Sequence, residues 1–344
     1  MEFNKKQGRF LHEVISLWET SGVVTPEQAQ SLRQSFLVKP FDWKRLAKYS
    51  FWLAIACGII AVQALVTDRS LIELVEKIFT SFDAGLSISF ALLAALMYFL
   101  GYRRRLKKPG KVFSNEFIIF AGVLFTAGAV GYLGKMLDTG SGHFSWLFLL
   151  SFLLYGFIGI WLKSGLVWIF AIVALGNWFG TETGYLSGWG AYFLGMNYPL
   201  RFILFGAVLI GTSFYFVTNK RLAMFQKSTY VLGLLYFFIA LWMLSIFGNY
   251  GDLEEWWKVK QTELFYWGII FGLAALGAIY YGLKRDDPVS KGFGITFIFI
   301  NLYTRYFEYF WESSEKVFFF AVLGISFWLI GWKAEKIWKG NTKK

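Results

Sequence analysis

The sequence predicts an all-α fold, a polytopic helical membrane protein of about ten transmembrane helices behind a short N-terminal cytoplasmic helical hairpin. Three observations carry that expectation. Beyond residue 48, apolar runs of spanning length alternate with short polar stretches. Only 16% of residues are charged, while 56% are hydrophobic and 21% aromatic; soluble domains carry roughly a quarter charged residues. Finally, Lys and Arg fall on alternate polar stretches. With residues 1–48 placed in the cytoplasm, 26 of the 34 basic residues lie on that side and 8 on the other. Lys and Arg resist translocation, so the split reports orientation, with both termini cytoplasmic.

The chain then reads in order. Residues 1–48 form a cytoplasmic helical hairpin and juxtamembrane anchor. Leu11, Val14, Ile15 and Trp18 recur at helical spacing, and Ser21-Gly22 ends that helix. Thr25-Pro26-Glu27-Gln28 starts a second one: Thr25 caps, Pro26 suits the first helical position, and Gln28 reaches back. Ala29, Leu32 and Phe36 give it an apolar stripe. Trp43, Lys44, Arg45 and Lys48 anchor it at the interface.

The membrane domain covers 49–333, with spans expected near 49–66, 84–101, 113–133, 145–161, 165–180, 200–217, 229–248, 263–283, 292–311 and 317–333. A basic cytoplasmic tail, 334–344, follows. Ser70 to Phe79 reads as an amphipathic interfacial helix, and Asp252 to Lys260 as a second. Arg103, Arg104 and Arg105 mark a cytoplasmic loop; they either stop translocation or attract anionic lipid.

Composition excludes several classes. The net charge of +12 is spread over short loops rather than one face, so nucleic acid is not an expected partner. One cysteine, Cys57, permits neither an intramolecular disulfide nor a cysteine-based metal cluster. It reads as a small buried packing residue in span one. No metal site and no cofactor is expected, and the motifs of zinc proteases, α/β-hydrolases and phosphate-binding loops are missing. The first apolar run follows a long polar segment and reads as a signal anchor.

Intramembrane polar residues are the better lead, because each costs a few kcal/mol unless paired or solvated. Asn301, Arg305 and Glu308 share one face of span nine. They either line an aqueous cavity or, with Arg305 snorkelling and Glu308 at the helix end, only mark the interface. The run from Gly176 to Gly188, with Asn177 and Glu182, is either a helix groove of small residues or a pliable loop able to bind a small polar ligand. Gly268 and Gly272 in span eight, and Ala127, Gly128, Gly131 and Gly134 in span three, are expected at helix contacts. His143 reads as part of a solvated outer loop.

Two segments resemble an uncharacterised family of bacterial polytopic membrane proteins, domain of unknown function 2157. They are Gly22-Val-Val-Thr25-Pro26-Glu27-Gln28-Ala29, and Gly122 to Gly128 with Gly131-Tyr132-Leu133-Gly134-Lys135-Met136. The resemblance implies a bacterial cytoplasmic (inner) membrane protein with this plan, and no activity. Where the family carries Gln and an aromatic residue after the last glycine, this chain has Lys135 and Leu137.

Three functions fit. One is a transporter or permease-like protein for a small or lipidic solute. The second is a non-catalytic scaffold or sensor that docks a protein partner, or a second copy, through residues 10–36. The third is a membrane-embedded enzyme on a lipid-linked substrate, using Glu182 or Glu308.

Overall fold

The computed structural model describes residues 2–35, 37–39, 43–67, 83–137, 140, 142–311, 315–326 and 328. The chain is a multi-pass helical membrane protein, with seven helices among the described residues long and apolar enough to cross a membrane. It divides at Ala129 into two compact units.

The first unit begins with β1 (Glu2–Asn4), α1 (Lys5–Thr20), α2 (Pro26–Gln34) and β2 (Leu37–Lys39). Thr25 Oγ1 accepts from the Gln28 N–H and Gln28 Oε1 accepts from the Thr25 N–H, the reciprocal box its sequence encodes. Ile15 and Ala29 are buried, and Arg33 pairs with Glu19 at 2.8 Å. A short parallel pairing of β1 with β2 was not expected from the sequence. Three-residue strands carry too little periodicity to be read.

Next come α3 (Trp43–Thr67), α4 (Asp83–Lys107) and α5 (Val112–Leu137). Tyr98 packs on Gly122 and bonds Thr126 Oγ1 at 3.0 Å, and Ser87 donates to the Ala129 carbonyl at 2.9 Å. These contacts correct part of the expected packing stripe on α5. Gly128 faces the Phe90 ring and Gly134 the Leu147 side chain, but Ala127 and Gly131 are exposed, and a Cβ on Gly131 would meet nothing described within 4 Å. Gly122 and Thr126, one turn apart, make the contact face, with Ala129 continuing it. Ala127 follows Thr126 by one residue, about 100° at 3.6 residues per turn, which turns it off that face. Cys57 is exposed rather than buried. Two of the three clustered arginines are engaged within this unit: Arg104 donates to Ser114 Oγ, and Arg105 pairs with Glu116 at 2.8 Å.

The second unit is built from helix pairs: α6 (Ser145–Leu162) with α7 (Gly165–Leu186), α8 (Tyr198–Phe216) with α9 (Gln226–Phe247), and α11 (Phe265–Lys284) with α12 (Pro288–Phe310). A short helix α10 (Leu253–Trp257) is capped by Asp252, whose carboxylate accepts from the Glu255 N–H. Lys316–Ser326, here α13, is a shorter apolar helix. α8 and α9 cross with backbones touching. A Cβ on Gly206 would stand 2.6 Å from the Phe237 nitrogen, and one on Gly233 2.9 Å from the Ile210 nitrogen. Phe238, Leu241, Leu244, Phe271 and Phe297 join α9, α11 and α12 in one apolar core.

The expected segments from 84–101 through 263–283 all correspond to the seven apolar helices. The segments 49–66 and 292–311 lie in α3 and α12. The 176–188 run is helical through Leu186, so the loop reading is corrected; glycines every fourth residue let neighbouring side chains in without breaking the backbone ladder. The Ser70–Phe79 helix, Phe36, most of the 327–333 segment and the 334–344 tail lie outside the described residues.

Candidate functional site

α12 carries the expected trio, and the structure brings all three inward. Arg305 Nη1 lies 2.6 Å from Glu308 Oε2, and the two side chains are 12% and 15% exposed. Arg305 Nη2 donates to the Ser245 carbonyl of α9 at 2.8 Å and reaches Ser245 Oγ at 3.3 Å. Asn301 Nδ2 donates to the Gly268 carbonyl of α11 at 2.9 Å. A snorkelling Arg305 would point to the interface; this one is bonded to the next helix.

Gly268 and Gly272 have more than a packing role. A Cβ on Gly268 would stand 3.3 Å from Arg305 Cδ and Nε, and one on Gly272 3.1 Å from Asn301 Nδ2. The two glycines of α11 form the notch in which the polar face of α12 sits.

The trio is incompletely satisfied. Arg305 Nε and Nη1, Glu308 Oε2 and Asn301 Oδ1 are buried without a hydrogen-bond partner among the described residues. Arg305 and Glu308 are in ion contact but off the hydrogen-bond axis. Buried polar atoms are seldom left this way, because the lost hydration is not replaced. An open cavity lined by Arg305 and Glu308 was expected for a transporter; here these atoms are sealed from water. A cavity of about 410 Å³ lies instead between α12 and α13, against Leu302, Tyr303, Tyr306 and Leu323.

Glu182 belongs to a second cluster. Its Oε2 accepts from Ser145 Oγ and contacts His143 Nε2 at 3.0 Å. The His143 ring stacks on Tyr185 at 3.8 Å, and Trp146 Nε1 donates to His143 Nδ1 at 3.3 Å. His143 is therefore a partner of Glu182 rather than part of a solvated face. The Ser145 hydroxyl and the imidazole meet the same carboxylate oxygen, so each faces Glu182 rather than the other. Asn177 does not join it. It is exposed, and five residues from Glu182 puts it on another face of α7.

The sequence reading missed Arg201. Its side chain is 1% exposed, with no carboxylate in ion-pair range among the described residues. Nε donates to the Met196 carbonyl at 2.9 Å, Nη2 to the Ala191 carbonyl at 2.8 Å and Nη1 to Thr183 Oγ1 at 3.2 Å. The guanidinium lies 4.3 Å from the Tyr198 ring centre. It clamps the 187–197 loop, in which Gly188, Trp189, Leu194 and Gly195 all have positive φ. Asn197 ties the same loop to the next through the Gly248 and Tyr250 carbonyls. The available signal was an arginine one turn inside an apolar span with no acid within a turn.

At the opposite end of the α11–α12 pair, Asp287 caps α12. Burial pushes its carboxyl up, but the Ser290 hydroxyl, the Val289 and Ser290 N–H groups and the Tyr230 hydroxyl hold it below the ordinary aspartate range.

Family models, curated proteins and solved structures were compared with the chain. None matches. Function must therefore be argued from the side chains themselves. No group of three or more His, Cys, Asp or Glu able to hold a metal occurs among the described residues.

Proposed function

We propose that this protein is a transporter or permease-like membrane protein, with Asn301, Arg305 and Glu308 binding a small solute inside the α9, α11 and α12 group. One observation carries the reading: a buried ion pair, Arg305 with Glu308, stands beside two buried polar atoms, Arg305 Nε and Asn301 Oδ1, that lack hydrogen-bond partners among the described residues. In a lipid-embedded bundle such groups are expensive and mark solute paths or relays. The sealed arrangement corresponds to the occluded state of such a protein.

The finer topology belongs to the same proposal: ten spans, both termini in the cytoplasm, a bacterial inner membrane, and kinship with the uncharacterised family named above. In that orientation Arg103, Arg104 and Arg105 meet the cytoplasmic leaflet, where anionic lipid would sit.

The test is aqueous access. In a Cys57→Ser background, Asn301→Cys and Ser245→Cys should react with a small charged thiol reagent from one side of the membrane. Complete inertness at both positions, in folded protein, refutes the reading.

A second reading, a scaffold docking through residues 10–36, draws on Phe10, Leu17, Trp18 and Val23, which are exposed on the α1–α2 segment. It predicts a dry bundle in the same labelling experiment. The enzyme reading has less support, since Glu182 and Glu308 lie in separate side-chain clusters, and neither has a second acid beside it among the described residues.

A further inference from the structure

Resting on the solute-binding reading, we infer that the site takes a small monovalent carboxylate and takes up a proton on Glu308 with it.

Arg305 Nε, with one N–H, has no hydrogen bond, and Nη1, with two, meets only Glu308 Oε2 in the ion contact. Guanidinium does not lose its proton in proteins, so these three donors are permanent. The acceptors are Asn301 Oδ1, which is unpaired, and Glu308 Oε2, which faces Arg305 Nη1. Glu308 is the one group of the trio whose charge can change.

With Glu308 ionised, the pair is neutral and occupies itself. Adding an anion would then leave a net buried negative charge, which is costly. With Glu308 protonated, its O–H becomes a fourth donor, and the acceptor that held Nη1 is withdrawn. The site then carries one positive charge and four donors against two acceptors, the Asn301 oxygen and the carbonyl oxygen of the Glu308 acid. That set fits a carboxylate, which accepts only and favours guanidinium. A cation or a sugar hydroxyl does not match it.

Binding is therefore an exchange. The proton comes from water and goes to Glu308, the ion contact opens, and the solute carboxylate takes the place of the Glu308 carboxylate on Arg305. One proton enters with one anion, and the buried charge stays at zero. No covalent bond is made or broken apart from the O–H on Glu308.

The surroundings leave Glu308 as the proton site. α9 presents Ser245 and Trp242, and Trp242 Nε1 is engaged with Thr304. α11 and the turn before it contribute Tyr266 and Glu263, and α12 itself Tyr303, Tyr306 and Tyr309. Beyond Trp311 lie Glu315 and Lys316; the ammonium of Lys316 is held by the Trp311 carbonyl and ring. The one charged group that acts on Glu308 among the described residues is Arg305. The small size follows from Gly268 and Gly272: a methyl on either would already crowd Arg305 or Asn301.

The test uses the purified full chain in lipid nanodiscs, with pyruvate as probe and methylammonium and glucose as comparisons. In weak buffer, pyruvate binding should consume about one proton per anion. Affinity should rise about tenfold for each unit the pH falls while Glu308 is ionised in the free protein. Glu308→Gln, a neutral isostere, should bind pyruvate with no pH dependence and no proton uptake. Arg305→Lys should weaken binding at least tenfold. Methylammonium and glucose should not bind. A Glu308→Gln variant that keeps the wild-type pH dependence, or a wild type that ignores pyruvate, overturns the inference. If methylammonium or glucose binds instead and Arg305→Lys weakens it, the site reading stands and the carboxylate fails. If no probe binds and Asn301→Cys and Ser245→Cys stay inert to thiol reagent, both fail.

Discussion

Replacing Arg201 by methionine should loosen one loop while leaving the helices intact. Methionine fills most of the aliphatic volume but donates nothing. The substitution deletes bonds to two backbone carbonyls, Met196 at 2.9 Å and Ala191 at 2.8 Å, together with the Thr183 contact and the Tyr198 stacking. Hydrogen bonds to a charged group contribute about 1.5–3 kcal/mol each, and an orphaned buried acceptor costs about 1–3 kcal/mol. Two effects reduce the total. The desolvation cost of a fully buried guanidinium disappears, and Trp189 and Leu194, held at positive φ, can relax, at about 1 kcal/mol or more each. The expected net loss is about 2–4 kcal/mol, read as denaturant unfolding in micelles. The local signature is sharper. Leu194 is 81% exposed at the loop tip, and the peptide bonds around it should become several-fold more sensitive to protease in Arg201→Met. Arg201→Lys should recover part of the loss, since an ammonium reaches one of the two carbonyls. A loss under about 1 kcal/mol with unchanged loop proteolysis would show that the guanidinium does not hold the loop, and that the calculation has overvalued its bonds.

Other substitutions test the remaining geometry. Arg305→Leu should cost about 3–5 kcal/mol by stranding Glu308, and adding Glu308→Gln should restore part of it; additive losses in a double-mutant cycle would contradict the pairing. Gly206→Ala should cost about 1–3 kcal/mol or prevent folding, because its Cβ meets the backbone of α9 rather than a movable side chain; a stable variant would mean the crossing is looser than described. Asp287 has a folded pKa below its unfolded one, so its contribution is fully present above the ordinary aspartate value of about 3.9 and is lost as pH falls through the folded value. Acid titration of unfolding should show that loss in the wild type and lack it in Asp287→Asn. Cys57 is exposed on α3, so Cys57→Ser should change stability by less than about 0.5 kcal/mol in denaturant unfolding; a larger loss would place it in a contact.

Much of this architecture was legible because helix periodicity and hydropathy are local signals. Thr25 and Gln28 announced their capping box within four residues, and the seven apolar helices stand where the apolar runs stand. The trio on α12 was legible because charged residues inside an apolar run are few, and i, i+4 and i+7 share a face. Its partners were not. Ser245 and Gly268 are 60 and 37 residues from Arg305 in sequence, and no local pattern reports which helix a side chain will meet. Arg201 was missed because it stands at the edge of the expected 200–217 span with no acid nearby in sequence, and its partners in the 187–197 loop follow no helical spacing. Ala127 and Gly131 show the converse failure: small residues marked the right helix, but only the identity of its neighbour fixed which side of it was used.

The backbone contact between α8 and α9 has a mechanical consequence. Two helices that touch through glycine cannot slide along each other without driving Cα atoms together, so the pair behaves as one stiff lever. α11 and α12 are locked in the same way, since a Cβ on Gly294 would stand 2.6 Å from the Ala275 carbonyl oxygen. Softness is thereby pushed to the seam between the two levers. Across that seam Arg305 holds Ser245, and Trp242 holds Thr304. Any movement of one pair against the other must break those bonds and part the apolar core that α9, α11 and α12 share.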